Sequence, residues 1–181
     1  KQARRLNRLV EDLMTISRIE LGEVLLHFEE IVLPEVTENV ISLLDATAAA
    51  KKIKIQNRLP QNLPQIKADR DRLIQVLVNV LDNAVKFTPD GGLITIDAEE
   101  KAENVELTIS DTGIGIPREE IQRLGERFYR VDKTRSRELG GTGLGLSIVK
   151  HLMIAHGGRM EIESQMGKGT KVLLFFPVTK G

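Results

Sequence analysis

Two glycine-rich segments, DTGIGI at residues 111–116 and GGTGLGLSIVK at residues 140–150, flank a basic segment. The glycines around Thr142 have no side chains that would keep an anion away from the backbone amides. A helix predicted over residues 144–156 would add its unpaired N-terminal N–H groups and the positive end of its dipole. One such segment alone is as often a plain connector, but two around a basic segment indicate a polyphosphate site.

Length and composition limit the class of protein. The 181 residues fit one ordinary domain with a short appendage, and 41% of them are hydrophobic, which is enough for a core. The 26 basic and 26 acidic residues balance, so the net charge favours neither nucleic acid nor an anionic membrane as partner. No apolar run approaches the roughly 20 residues that span a bilayer. Without such a run, we expect a soluble piece. The absence of cysteine excludes disulfides and thiolate metal sites and suits a reducing compartment.

The first 21 residues look like the end of a longer helix. Its apolar residues recur at steps of three and four, with charged residues between them, which is typical of a coiled-coil seam. They are Leu6, Leu9, Leu13 and Ile16. The pattern begins without a capping residue, and Gly22 offers a stop. We favour a seam for a partner helix over an amphipathic helix packed on its own domain, and we expect a separate α/β domain to begin near residues 22–28.

Strand and helix patterns alternate after Gly22. The predicted strands are residues 24–33, 53–59, 93–99, 105–111, 159–164 and 170–178. The predicted helices are residues 34–50, 69–87 and 144–156. Asp69 and Asp71 place negative charge at the start of the second of these helices, and Pro89 terminates it. Residues 60–64 are predicted to be a proline-containing loop.

The helix predicted to end at Phe87 carries one polar stripe on a mostly apolar surface. At 100° per residue, the stripe falls within about one 100° arc. Its members are Gln75, Asn79, Asp82, Asn83 and Lys86. A polar stripe can simply face water, but asparagine is a poor helix former, so two of them four residues apart indicate a site. Amides and a carboxylate can hold a hydrated Mg²⁺ that arrives with substrate phosphates.

Asp111 ends a strand in which Val105, Leu107 and Ile109 share one face. By the two-residue period its carboxylate lies on that same inward face. A buried carboxylate needs hydrogen-bond donors. Two interpretations stay open: the backbone N–H groups of the glycine turn satisfy it, or it is offered to a ligand donor such as a purine amino group.

The segment over residues 127–137 is basic and has few apolar anchors. It contains one acid, Asp132, and five basic residues, which are Arg127, Arg130, Lys133, Arg135 and Arg137. It is either a solvated surface loop or a flap that reaches phosphates. We expect residues 127–141 to be the least ordered part of the chain without nucleotide.

Five short motifs, in this order, resemble the N, G1, F, G2 and G3 boxes of two-component sensor histidine kinases. They are Asn79-x-x-x-Asn83-x-x-Lys86-Phe87, Asp111-x-Gly113-x-Gly115, Arg127-Phe128-Tyr129-Arg130, Gly141-Thr142-Gly143-Leu144-Gly145-Leu146 and Gly167-Lys168-Gly169-Thr170. The helix before them resembles the last part of the dimerisation and phosphoacceptor hairpin. The resemblance implies that residues 1–24 end this hairpin and that residues 25–181 form the catalytic ATP-binding domain.

The implied fold is the Bergerat ATP-binding fold shared with gyrase, Hsp90 and MutL. This is an α/β (α+β) two-layer sandwich, in which three helices cover one face of a mixed, mostly antiparallel sheet. The implied ligands are ATP and Mg²⁺, with ATP bound between sheet-proximal helices and a flexible lid.

The resemblance also implies roles for individual residues. Asp111 would accept the adenine amino group, and Asn83 would be the principal Mg²⁺ ligand, assisted by Asn79. Lys86 would contact phosphate and Phe87 the nucleoside. The implied catalytic residues are Asn79, Lys86 and Arg130. The rest of the implied nucleotide-binding set comprises Gly113, Gly115 and Ile116 at the adenine, Tyr129 and Arg130 of the lid, Gly141, Thr142, Gly143, Leu144, Gly145 and Leu146 at the phosphates, and Thr170 on the neighbouring strand.

Two departures from the family patterns bear on the reaction. Hydrolytic relatives resembling gyrase and Hsp90 carry a glutamate where this chain has Asn79, and an amide cannot act as a general base at neutral pH. Transfer to a protein side chain is therefore favoured over hydrolysis. A slow ATPase or ATP-gated conformational switch is the alternative, and a non-catalytic docking module is the third interpretation. The family's acceptor-histidine motif is absent, and His27 does not fit it, so we expect no autophosphorylation by this piece alone.

The implied partners are ATP or ADP, the phosphoacceptor hairpin of the same kinase, and a response regulator receiver domain. The full-length kinase would be a homodimer and a membrane-anchored bacterial sensor, with this piece on the cytoplasmic side. Whether this piece dimerises by itself stays open.

Overall fold

The computed structural model describes residues 2–23, 25–131 and 141–178 of the chain. Helices and strands alternate through most of this part. The helices are α1 (Gln2–Glu20), α2 (Leu33–Ala50), α3 (Arg70–Phe87), α4 (Arg118–Ile121) and α5 (Gly145–Ala155). The strands are β1 (Phe28–Ile31), β2 (Lys54–Asn57), β3 (Ile66–Asp69), β4 (Leu93–Lys101), β5 (Asn104–Asp111), β6 (Arg159–Gln165) and β7 (Gly169–Pro177). Within the described residues, no helix is long and apolar enough to cross a membrane.

The main sheet has five strands in the described part of the chain, in the order β2-β4-β5-β7-β6. β2 runs parallel to β4, and the other neighbouring pairs are antiparallel. Alternate residues of its strands, such as Ile96, Leu107 and Leu174, are fully buried and join the apolar residues of α2, α3 and α5 in one core. This confirms the predicted two-layer architecture with a mixed, mostly antiparallel sheet.

The structure adds a small sheet that was not predicted. β1 and β3 pair antiparallel, with Ile31 opposite Ile66 and Phe28 opposite Asp69. β3 has only four residues, Ile66–Asp69, and its alternation of apolar and polar residues is too short to predict a strand by itself. Its pairing with a strand some forty residues earlier is a long-range contact that no local pattern reveals. The strand predicted over residues 24–33 is correspondingly shorter.

The start of α3 is fixed by a capping carboxylate, as predicted from its charge. Asp69 accepts hydrogen bonds from the backbone N–H of Arg72 at 3.0 Å and of His27 at 2.9 Å. Burial raises the pKa of Asp69, but these two N–H groups, together with the charges of Arg72 and His156, hold the pKa below its ordinary value. The N–H of Asp69 in turn donates to Nε2 of His156 at 3.1 Å, so this buried histidine supports the fold.

The apolar residues of α1 divide between two environments. Ile16 is 1% exposed and belongs to the core, and α1 packs against α5. Leu6 and Leu13, in contrast, are 62% and 47% exposed. One side of this helix therefore packs on its own chain, as the second interpretation expected, and the other side is open to solvent. The seam for a partner helix remains a prediction. The domain boundary near residue 24 remains a prediction.

The end of α3 is closed by a lysine from the turn after α2. The Nζ of Lys51 donates to the backbone carbonyls of Val85 at 2.7 Å, Lys86 at 3.1 Å and Thr88 at 2.6 Å. The last carbonyls of a helix have no partners within the helix itself. Lys51 therefore holds the helix end that carries Lys86 and Phe87, two residues predicted for the site.

Replacing Lys51 tests this closure. Lys51→Met keeps most of the side-chain volume but removes the donor, so the partly buried carbonyls lose their partner. We expect the free energy of unfolding, measured by urea denaturation, to fall by about 1–3 kcal/mol. Lys54→Met, the same change at an exposed position of β2, is the matched control and should change it by less than about 0.5 kcal/mol. Equal losses in the two variants would contradict the role given to Lys51.

Candidate functional site

One cavity collects most of the residues predicted for nucleotide binding. It lies between α3, the end of β5, the loop after it and the start of α5. The predicted residues that line it are Asn79, Asn83, Lys86, Phe87, Asp111, Gly115, Ile116, Tyr129, Arg130, Gly141, Thr142, Gly143, Gly145, Leu146 and Thr170. Gly113 and Leu144 do not line it. Leu144 is fully buried in the core, and Gly113 lies behind the cavity wall, where its N–H donates to the carboxylate of Asp111.

The two oxygens of the Asp111 carboxylate have different surroundings. Oδ1 accepts hydrogen bonds from the backbone N–H of Gly113 at 2.8 Å and of Thr170 at 3.2 Å. Oδ2 accepts none from the described part of the chain, although Asp111 lines the cavity. The N–H groups of Gly113 and Thr170 therefore satisfy one oxygen, as the first interpretation of Asp111 expected. The offer of the other oxygen to a ligand donor remains a prediction.

Burial raises the pKa of Asp111 above its ordinary value of 3.8, although the N–H groups of Gly113 and Thr170 act in the opposite direction. A carboxylate that the protein only half satisfies is costly when it is charged. A ligand that donates a hydrogen bond to Oδ2 would relieve part of this cost.

Two glycines allow the backbone to close around Asp111. A Cβ atom on Gly113 would lie 2.5 Å from Asp111 Oδ1, and one on Gly169 would lie 1.9 Å from the Asp111 carbonyl oxygen. Neither position could hold a side chain without moving the carboxylate or its strand. The close approach of β7 to the end of β5 thus depends on glycine.

A second wall of the cavity carries side-chain amides. Asn79 and Asn83 lie one turn apart on α3, and within the described residues neither side chain forms a hydrogen bond. A Cβ atom on Gly145 would lie 3.1 Å from Asn79 Oδ1, so glycine lets the start of α5 approach this amide. Lys86 forms a 2.6 Å ion pair with Asp82 on the same helix.

These amides fit a magnesium ion that arrives with phosphates. Among the described residues, no group of three or more histidine or acidic side chains could hold a metal ion. Mg²⁺ prefers oxygen ligands and usually binds through one or two protein groups together with substrate phosphates. The unpartnered amides of Asn79 and Asn83 supply oxygens of this kind.

The third wall is the glycine turn, by which we mean residues Gly141–Leu146. It is joined to the F-box segment by two hydrogen bonds. The N–H of Phe128 donates to the Gly143 carbonyl at 3.0 Å, and the guanidinium of Arg130 donates to the Gly141 carbonyl. Tyr129, beside them, lies under the guanidinium of Arg123 at 4.0 Å from its ring centre.

Several predicted lid residues lie outside the described part of the chain. They are Asp132, Lys133, Arg135 and Arg137. The expectation of low order over residues 127–141 depends largely on these positions and remains a prediction.

Among the residues that shape the cavity and that sequence reasoning missed are Asp12 and Ser164. Asp12 of α1 lines it and accepts a hydrogen bond from the Thr142 hydroxyl at 3.0 Å. No signal in the sequence connects two residues that lie 130 positions apart. Ser164 of β6 positions the other end, because its hydroxyl accepts from the Ile116 N–H at 2.9 Å and lies 2.8 Å from the Thr170 hydroxyl.

Residues 68–180 match the family described as histidine kinase-, DNA gyrase B- and HSP90-like ATPase. The chain belongs to this family.

Several relatives and structural neighbours of the chain are histidine kinases. The chain is 38% identical over 178 residues to the sensor histidine kinase WalK of Bacillus subtilis (strain 168), covering 97% of this chain but only 29% of WalK. The structure of full-length ShkA in complex with AMPPNP is similar with a TM-score of 0.84 and 30% identity, over 97% of this chain and 37% of that one. Histidine kinase ThkA in complex with response regulator protein TrrA is similar with a TM-score of 0.74 and 25% identity, over 96% of this chain and 49% of that one. This chain therefore carries the ATP-binding catalytic domain of a sensor histidine kinase.

Asp111→Asn tests whether the two oxygens of the Asp111 carboxylate have different roles. The variant keeps an acceptor for Gly113 and Thr170 but places a donor where Oδ2 stood. We expect ATP affinity, measured by calorimetric titration, to fall roughly tenfold or more, and the preference for ATP over GTP to fall with it. Asp97→Asn, on β4 and outside the cavity, is the control and should bind ATP as the wild type does. Unchanged affinity in Asp111→Asn would mean that Asp111 only supports its own turn.

The same variant should show a pH-dependent gain in stability without nucleotide. Because burial raises the pKa of Asp111, the wild type loses stability as pH rises from 3.8 through the folded value. Asparagine has no such loss. Urea denaturation at several pH values should show the free energy of unfolding of the variant gaining on that of the wild type as pH rises. A difference that does not change with pH would contradict the raised pKa.

Proposed function

We propose that this chain transfers the γ-phosphate of Mg·ATP to a histidine on a dimerisation and phosphoacceptor hairpin, as part of an ATP:protein-histidine phosphotransferase. The observation that carries this proposal is the convergence of three walls on one cavity. Asp111 Oδ2 at one wall, the amides of Asn79 and Asn83 at another, and the glycine turn at the third all lie within reach of one ligand. These groups match the adenine, metal and phosphate parts of Mg·ATP respectively.

The adenine end would be read by Asp111. Its Oδ2 accepts from the adenine amino group, while Gly113 and the N–H of Thr170 hold Oδ1 in place. Phe87 and Ile116 line the cavity beside it and would contact the nucleoside. An acceptor-only group at this position selects a base that presents a donor there.

The phosphate end would be held by α3 and by the turn at the start of α5. Asn83, assisted by Asn79, would hold Mg²⁺ through amide oxygens. The ion, when bound, would neutralise charge on the phosphates. The bare N–H groups of the glycine turn would donate to phosphate oxygens. Lys86 and Arg130 line the same cavity, and their positive charges would attract the phosphates.

Transfer is favoured over hydrolysis by the residue at position 79. Asn79 cannot accept a proton from water at neutral pH, so the cavity lacks a general base at the position where hydrolytic relatives carry glutamate. A histidine acceptor is itself a nucleophile: its ring nitrogen bonds to the γ-phosphorus as the bond to the bridging oxygen breaks and ADP leaves. The chain then contributes positioning and charge stabilisation.

The partners follow from the same assignment. The hairpin would be supplied by residues not present in this chain, and α1 would be its last part. The exposed side of α1, with Leu6, Val10 and Leu13, is suited to pack against the rest of a hairpin in a homodimer. The phosphate would pass to an aspartate of a response regulator, the class of protein that accompanies ThkA in its complex. We place this chain in the cytoplasmic part of a membrane-anchored sensor.

Phosphotransfer to a separate hairpin tests the function. The chain is mixed with a hairpin domain that bears the acceptor histidine, with Mg²⁺ and γ-labelled ATP, and label on the hairpin is followed over time. We expect label on the hairpin and none on this chain alone. Asn83→Ala should slow the transfer by about tenfold or more, as loss of a metal-holding group does.

Gln75→Ala is the matched control for Asn83→Ala. Gln75 lies on the same polar stripe but outside the cavity, where it accepts a hydrogen bond from Arg72 at 3.0 Å. Its loss should leave the transfer rate unchanged. Bound nucleotide without label transfer would count against a kinase, and phosphate release without any acceptor would support the ATPase alternative.

A further inference from the structure

Helix α1 contributes a carboxylate to the wall of the nucleotide cavity. Asp12 lines the cavity together with Asn79 and Arg130. The family match begins at residue 68, so Asp12 lies outside the part of the chain on which the site is predicted. No motif assigns a role to this residue.

The contact that brings Asp12 there uses a hydroxyl of the glycine turn. The Oγ1 of Thr142 donates to Asp12 Oδ2 at 3.0 Å and accepts from the N–H of Leu144 at 3.2 Å. Thr142 is only 8% exposed. A hydroxyl has one hydrogen to donate, so the hydrogen of Thr142 is committed to Asp12 while α1 is docked.

The packing of α1 holds this contact in place. Ile16, one turn after Asp12, is 1% exposed and packs in the core, while Leu9 and Ile19 are partly buried against it. α1 packs along α5, which begins at Gly145, three residues after Thr142. Asp12 therefore meets Thr142 as part of a docked helix rather than as a chance surface contact.

A carboxylate and a phosphate oxygen make the same demand on Thr142. Both accept hydrogen bonds and neither donates at neutral pH. We propose, on the basis of the function proposed above, that Asp12 competes with the phosphates of ATP for the glycine turn, so that docking of α1 and binding of the triphosphate weaken each other. By linkage, ATP weakens the docking of α1 by the same factor by which docking weakens ATP binding.

The competition predicts a gain of affinity on removal of the carboxylate charge. Asp12→Asn should bind a non-hydrolysable ATP analogue with Mg²⁺ about fivefold or more tightly than the wild type, within the usual range of coupling between sites. Adenosine, which has no phosphates, should bind the variant and the wild type equally. Unchanged or weaker binding of the analogue to Asp12→Asn would overturn the competition.

Glu11→Gln is the matched control, because it removes the same charge from an exposed neighbouring position on α1. It should leave both affinities unchanged, and an equal gain in this variant would mean that net charge alone is responsible. In a Thr142→Val background the hydroxyl is gone, so Asp12→Asn should have no further effect. A gain that persists in that background would overturn the role of the hydroxyl.

The same titrations separate the competition from the proposed function. A wild-type chain that binds neither adenosine nor the analogue would overturn both. A wild-type chain that binds both, with no change in Asp12→Asn, would overturn the competition alone and leave the kinase assignment standing.

The reciprocal effect can be measured because the chain has no cysteine. Cysteines introduced at the exposed positions Arg18 of α1 and Lys150 of α5 would carry a pair of spin labels. The distance between the labels should lengthen or spread when the ATP analogue is added, and less so in Asp12→Asn, whose helix is already more weakly docked. An unchanged or shorter distance with the analogue bound would contradict the competition.

Discussion

The site depends on one carboxylate that the protein satisfies only in part. Asp111 Oδ1 accepts hydrogen bonds from the N–H of Gly113, two residues later, and from the N–H of Thr170 on the neighbouring strand. The second bond ties the end of β5 to the start of β7. Gly169 is required at that junction, because any Cβ there would collide with the Asp111 carbonyl. No group in the described part of the chain donates to the second oxygen, and burial raises the pKa of Asp111. This arrangement lowers the stability of the empty site in exchange for a specific contact with a ligand.

Much of this could be predicted because the signals are local. The polar stripe of α3 and the alternation before Asp111 follow from the helix and strand periods alone, and both occur where the sequence places them. The glycine turn was recognisable because its motif is continuous. What these patterns could not show was that the N–H groups of Gly113 and Thr170 both reach the same oxygen of Asp111, since this depends on where β7 lies.

The missed features all depend on contacts between distant parts of the chain. β3 becomes a strand because β1 lies beside it, and the alternation of its own four residues is too short to predict this. Asp12 belongs to the cavity only because Ile16 anchors α1 against the domain. The periodic leucines and isoleucines of α1 correctly indicated an amphipathic helix. The pattern does not specify which of these residues pack within the chain and which stay exposed. Tertiary contacts decide this, and they are absent from any window of the sequence.

Asn79 and Asn83, whose side chains form no hydrogen bond with the described residues, require a rigid support, and α3 supplies it. Asn79 and Asn83 would be free to turn away from the cavity if their helix could shift. The opposite side of α3 is buried through residues such as Leu77 and Leu81, which are fully inaccessible, and its two ends are fixed by Asp69 and Lys51. A buried helix with both ends tied cannot rotate to satisfy its amides elsewhere. The core packing of α3 therefore acts directly on function, since it keeps the amides facing the cavity until a ligand engages them.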